Sequence, residues 1–187
     1  MAGEDEATDL RGFMPSKDTY TSLKADVDLG LALQELIDNS IDAWERRSGG
    51  SVPMSVEIET NSSVRGPDLV IRDDAGGVPQ EQAPILFALG RNAQTAGAGS
   101  IGTYGLGAKK ALVNLGVPCT VASWDEDEEV GWEYTITREW LDDDATWKVP
   151  VTESEELEPG VTELRIETLS YDWSDERSET VRARLED

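Results

Sequence analysis

Three short stretches carry residue types that could do chemistry. The first is "ELIDNSIDA", residues 35–43. At about 100° per residue, Glu35, Asn39 and Asp42 fall within about 60° of one another on a helix. Leu33, Leu36, Ile37, Ser40, Ile41 and Trp44 cover the other side, a stripe suited to packing on a sheet. The polar trio, expected to face outward, is either a solvated face or a set of oxygens for a ligand. Solvated faces more often carry Lys/Glu pairs four residues apart, whereas an amide between two carboxylates suits a hard cation. The second stretch is "VIRDDAGG", residues 70–77, which puts Asp73 at the exit of a strand. An ionised carboxylate only accepts hydrogen bonds. It could therefore take the exocyclic amine of adenine, where guanine offers an oxygen; the plainer alternative is an Asx-turn. The third is "SIGTYGLGAKKAL", residues 100–112, where Gly102, Gly105 and Gly107 lead into a helix with Lys109 and Lys110 in its first turn. Unpaired N–H groups and the helix dipole favour phosphate there. Lysines normally avoid that helix end, so two of them point to an anion; a flexible linker is the alternative.

Two other patterns fail on context. "GAGSIG" at 97–102 has the dinucleotide spacing G-x-G-x-x-G but follows "RNAQTA" instead of a strand and runs into another glycine loop, so the fingerprint does not apply. The P-loop requires GK[ST], and here Gly107-Ala108 is followed by two lysines.

The elements that must position these residues follow from periodicity and punctuation. A long helix is expected from about Lys24 to Arg47, stopped by Ser48-Gly49-Gly50. "MSVEIET" (54–60) and "DLVIRD" (68–73) alternate as strands. "QEQAPILFAL" (80–89) reads as a helix, 90–104 as a Gly-rich loop, and "GLGAKKALVNLG" (105–116) as a helix between glycines. "PCTVASW" and "VGWEYTIT" form a hairpin around "DEDEE"; "TWKVPV" and "GVTELRIETL" give two more strands, and 174–187 a charged helix. Segregated helices and strands predict an α+β fold: a two-layer sandwich of one mixed, mainly antiparallel sheet with helices on one face.

Composition bounds the function. A chain of 187 residues suits one domain, expected over 13–187 behind a loose acidic tail at 1–12. The net charge is −23, split as −7 over residues 1–118 and −16 over 119–187. A surface this acidic repels itself until salt screens it, so adaptation to a salty cytosol is the expected cause, with a basic partner as the alternative. All three stretches lie in the less acidic half, which suits receipt of a polyanion. A lone cysteine, Cys119, allows no intrachain disulfide and fits a reducing, cytoplasmic setting. With no His in the chain, His-based acid–base catalysis, His metal sites and a phosphoacceptor His are excluded. No apolar run reaches the ~18 residues of a membrane span. The charge also lacks the basic stripe that a nucleic-acid backbone requires, so direct DNA binding by this domain is not expected.

In this order and spacing, the motifs resemble those of the GHKL (Bergerat-fold) ATPase superfamily, which includes type II topoisomerase ATPase subunits, heat-shock chaperone ATPases, MutL-type and MORC proteins, and sensor histidine kinases. "ELIDNSIDA" resembles the N box, "DDAGG" the D-x-G-x-G box, "IGTYGLGAK" the phosphate-lid glycine box, and "GVTEL" (160–164), with an inserted Val161, the late G-T-x-[IL] strand. The resemblance implies ATP as ligand and Mg²⁺ as cofactor, with Glu35 as the base that activates water and Asn39 as the metal ligand. It puts Asp42 beside the nucleotide, Asp73 on the adenine amine, Gly77 against the ring, Lys109 on phosphate and Thr162 near Asp73. Ala75 stands where the family usually has glycine. Histidine kinases typically lack the glutamate four residues before the asparagine; the presence of Glu35 and the absence of His favour the hydrolysing branch. In that branch ATP orders a lid, here about 90–104, and drives homodimerisation, and a lysine from a transducer domain or partner protein completes the site. A nucleotide sensor without hydrolysis, or a phosphotransfer domain, are the alternatives that the resemblance leaves.

Overall fold

The computed structural model describes residue 17 and residues 29–60, 68–86 and 107–170. The expected tail at 1–12, the loop at 90–104, Gly102, Gly105 and the helix at 174–187 lie outside the described residues. Helix α1 spans Leu29–Ser48. Strands β1 (Val56–Thr60) and β2 (Leu69–Asp73) follow, then a 3-10 helix, Gln80–Leu86, within the helix expected over 80–89. Helix α2 spans Gly107–Leu115, β3 Cys119–Ser123 and β4 Gly131–Ile136. A short helix α3, Arg138–Asp142, precedes β5 (Thr152–Ser154) and β6 (Thr162–Ile166).

The six strands form one sheet in the order β1-β2-β6-β3-β4-β5. Every pairing is antiparallel, so the mixed character expected of the sheet is absent among the described strands. The late strand β6 is inserted between β2 and β3, bringing "DLVIRD" and "GVTELRI" side by side.

Cross-strand partners point to the same face of a sheet, so the register sorts the side chains into rows. One inner row runs Leu69, Ile166, Cys119, Ile136; the next runs Ile58, Ile71, Leu164, Val121, Tyr134. These rows join Leu29, Ala32 and Leu33 of α1 and Ala111, Leu112 and Leu115 of α2 in the main core. Each fully buried Leu or Ile there contributes about 1.5–3 kcal/mol relative to exposure. The opposite face is mainly polar, apart from a small cluster in which Ala122 packs with Leu157 and Val161. Arg165 on β6 pairs across it with Glu133 of β4 at 2.9 Å and with Glu156 and Glu163 at 3.3 Å.

Two local expectations are corrected. "TWKVPV" is not a strand; pairing with β4 begins at Thr152, although Val149 and Val151 still pack on the core. Helix α3 follows β4 because Thr137 caps it, its hydroxyl accepting the Trp140 N–H, while Leu141 is drawn into the core. Lys17 is buried against this region. Its ammonium donates to the carbonyls of Trp140 and Asp143 and lies 3.7 Å from the centre of the Trp140 ring.

Candidate functional site

The third inner row of the sheet differs from the other two. It runs Val56, Asp73, Thr162, Ser123, Trp132. The apolar floor therefore ends in a carboxylate and two hydroxyls on three adjacent strands, with Asp73 the direct partner of Thr162. Helix α1 covers this end. Leu29, Ala32, Leu33, Leu36 and Ser40 lie within an arc of about 100° on the helix, and the core residues among them pack on the first two rows. Ser40 falls where the third row passes beneath, and its hydroxyl donates to Asp73 Oδ2 at 2.9 Å. The other carboxylate oxygen accepts the Ala75 N–H at 3.1 Å.

The apolar stripe of the sequence thus splits. Leu33, Leu36 and Ser40 face the sheet, whereas Ile37, Ile41 and Trp44 stay half-buried, and the Trp44 indole N–H donates to the Val52 carbonyl. The polar trio is uneven as well: Glu35 is half-buried, Asn39 exposed, and Asp42 only 5% exposed. That departs from an outward-facing set, because the trio borders the sheet-facing arc instead of opposing it. Asn39, next in sequence to Ser40, donates from Nδ2 to the Glu35 carbonyl.

Burial holds the Asp73 carboxyl above its ordinary range; the hydrogen bonds from Ala75 and Ser40 act against that rise. The adjacent carboxylate has a different task. Asp74 accepts from the Ser55 backbone N–H at 2.6 Å and from its hydroxyl at 2.9 Å, tying the turn to the start of β1. Beyond it, Gly76 and Gly77 adopt φ of +110° and +74°, conformations costly to residues with a side chain. A Cβ on Gly77 would sit 2.1 Å from the Trp124 carbonyl oxygen, and one on Gly76 would sit 2.2 Å from Arg47 Cδ. The turn is laced to the approach to β6 and to the end of β3: Gly76 N–H donates to the Gly160 carbonyl at 2.9 Å, and Val78 N–H to Ser123 Oγ at 2.8 Å.

Arg47, at the C-terminal end of α1, lies over this turn. It pairs with Asp125 at 2.9 Å, Glu126 at 2.7 Å and Asp127 at 3.0 Å, so the acidic run between β3 and β4 anchors the helix that carries Glu35 and Asn39. Ser40, Ser123 and Arg47 are the site residues that the sequence reading missed. A serine interrupting an apolar stripe and a serine closing a buried strand were the available signals.

Gly107 opens α2 and Lys109 lies in its first turn. Among the described residues no group of three or more His, Cys, Asp or Glu side chains is placed to hold a metal ion. The donor set fits Mg²⁺ in another way. Asn39 Oδ1, an amide oxygen on the same helix face as the half-buried Glu35, would serve as a single oxygen ligand to Mg²⁺, an ion that usually takes only one or two ligands from protein.

An all-antiparallel six-stranded sheet with helices packed on its apolar face is an α+β domain of the GHKL class. The chain belongs to the family of histidine kinase-, DNA gyrase B- and HSP90-like ATPases, whose model matches residues 27–169. Membership in this family implies ATP binding. The chain is 28% identical over 158 residues to Protein MICRORCHIDIA 7 of Arabidopsis thaliana, a match covering 80% of this chain and 21% of that protein. With Protein MICRORCHIDIA 4 of the same plant it is 34% identical over 92 residues, 49% of this chain and 11% of that protein. The fold is similar to that in a crystal structure of the ATPase and transducer domains of DNA topoisomerase II from Balamuthia mandrillaris, with a TM-score of 0.51 at 16% identity over 74% of this chain and 37% of that one. The chain therefore spans a minor part of the length of each of these relatives.

Proposed function

We propose that this domain binds and hydrolyses ATP with Mg²⁺, and that nucleotide binding drives a conformational or homodimerisation switch through the Gly-rich segment at 90–104. The observation that carries the reading is Asp73. It ends an otherwise apolar inner face, sits in register with Thr162, and is bonded to Ser40 of the helix that bears Glu35 and Asn39. Family membership supports the same ligand.

In this reading Asp73 accepts the exocyclic amine of adenine, with Thr162 beside it and Gly77 bringing the backbone close to the ring. Asp42, on the Glu35 and Asn39 side of α1, borders the nucleotide. Gly102, Gly105 and Gly107 supply backbone N–H groups to the phosphates, and Lys109 adds a positive charge there. Glu35 accepts a proton from the attacking water, a step worth about 10²–10⁴-fold in rate. Asn39 holds Mg²⁺, which offsets phosphate charge next to the carboxylates. A transducer domain or partner protein supplies the completing lysine. The acidic surface fits a salty cytosol and argues against direct DNA contact by this domain.

Titration calorimetry with ATP, ADP and GTP, with and without Mg²⁺ in molar salt, tests the ligand. Tight Mg²⁺-dependent binding of the adenine nucleotides over GTP is expected; equal binding of GTP would sink the role of Asp73. Phosphate release tests the chemistry. Glu35→Ala is expected to keep ATP affinity and lose about 10²-fold or more in turnover, whereas Asn39→Ala loses affinity for the Mg²⁺ nucleotide. Equal loss of binding in both variants would overturn the assigned roles. Tight ATP binding by the parent protein without phosphate release would leave a nucleotide sensor.

A further inference from the structure

Ser123 closes β3 and is fully buried. Three polar atoms surround its hydroxyl oxygen: Val78 N at 2.8 Å, Thr162 Oγ1 at 2.8 Å and the Val161 carbonyl oxygen at 3.3 Å. A serine hydroxyl has one proton to give and two lone pairs to receive with. The Val78 N–H can only donate, so it occupies one lone pair. The single Ser123 proton then goes either to Thr162 Oγ1 or to the Val161 carbonyl, and the Thr162 contact is shorter by half an ångström. With that proton on Thr162, the Thr162 hydrogen is not consumed within the sheet. Thr162 is half-buried, and its own hydrogen is left to turn toward a ligand beside Asp73, its register partner.

We propose that Ser123 is a specificity-positioning residue. By receiving the Val78 N–H and donating to Thr162, it sets the Thr162 hydroxyl as a donor next to the Asp73 acceptor, so that the pair reads a 6-aminopurine edge. Cross-strand partners sit about 5 Å apart, which spans neighbouring atoms of a purine edge directly or through one water. Adenine presents there an amine donor beside a ring-nitrogen acceptor. Hypoxanthine presents the reverse, an oxygen acceptor beside an N–H donor. If the Ser123 proton turned instead to the Val161 carbonyl, Thr162 would have to donate to Ser123 and would offer the ligand only a lone pair. The relay thus connects the turn after Asp73 to the polarity of the residue opposite Asp73, through a side chain that is itself fully buried. The inference rests on the ATP-binding reading and deepens it.

The test compares ATP with inosine triphosphate on the full chain by calorimetry, for the parent protein and for Ser123→Ala, Thr162→Val and the double variant. The parent protein is expected to prefer ATP. Ser123→Ala is expected to weaken ATP binding about 5- to 10-fold while leaving inosine triphosphate nearly unchanged, so that the ratio of the two falls. Thr162→Val should lower the ratio to a similar extent, and adding Ser123→Ala to it should lower the ratio no further, because both changes remove one coupled contact. An equal loss for both nucleotides in Ser123→Ala would make Ser123 merely structural and overturn the proposal. Should Ser123→Ala not fold, Thr162→Val still decides: an unchanged ratio in that variant overturns the relay. A parent protein that binds both nucleotides equally defeats this inference while leaving nucleotide binding intact; one that binds neither defeats the ATP reading as well.

Discussion

Asp73 illustrates how one side chain is shaped by everything around it. Burial raises its affinity for a proton, while Ser40 and the Ala75 N–H stabilise its charge and limit that rise. A carboxyl whose folded-state affinity for protons exceeds its unfolded one makes the folded state lose stability as pH rises between the two values. Asp73→Asn, which cannot ionise, should therefore become more stable relative to the parent protein as pH rises through that window, with a constant difference below the ordinary carboxylate value. Urea unfolding across pH measures this, and a pH-independent difference would contradict it. The same variant presents an amide where an acceptor is needed, and ATP affinity should fall about 10- to 100-fold. Glu35, Asn39 and Asp73 stood out as candidates from residue type and spacing. Ser40 and Ser123 were not, because a serine hydroxyl acquires its partner only when another strand or helix arrives beside it.

At the scale of elements, α1 is held over the site at two points: Ser40 on Asp73, and Arg47 on the acidic turn between β3 and β4. The turn after Asp73 is confined between them by its glycines, and the two should not be equivalent. A Cβ on Gly76 meets the flexible side chain of Arg47, whereas a Cβ on Gly77 meets the Trp124 backbone. Gly76→Ala is expected to cost about 1–2 kcal/mol, and Gly77→Ala more than about 3 kcal/mol, both read from urea midpoints. Equal costs would mean that backbone conformation alone, and not the close approach to Trp124, requires glycine at 77. The strands with alternating apolar residues were readable in advance. Helix α3 was missed because five residues carry too little periodicity, and β5 was misplaced because Val149 and Val151 are half-buried against the core without being paired.

At the scale of the molecule, charge is the dominant feature. The net −23 is concentrated beyond residue 118, and carboxylates such as Glu126, Glu156 and Asp127 are largely exposed around Arg47 and Arg165. Screening should relieve more repulsion than it removes from these few exposed ion pairs, whose individual worth is small. Melting temperature is therefore expected to rise as potassium chloride increases from about 0.1 M toward molar levels, where the Debye length shrinks to about 3 Å. A falling melting temperature would show that the ion pairs outweigh the repulsion, and the reading of the acidity as salt adaptation would fail. No helix among the described residues is long and apolar enough to cross a membrane.

The sequence by itself determined which residues were candidates and where the strongly patterned helices and strands would lie, since periodicity, glycine positions and side-chain chemistry are local properties of the chain. The pairing of the strands was decided by tertiary structure alone. The insertion of β6 between β2 and β3 sets Thr162 opposite Asp73 and Ser123 opposite Thr162. That neighbourhood depends on burying the apolar rows of the whole sheet under α1 and α2, a cooperative requirement that no single segment encodes.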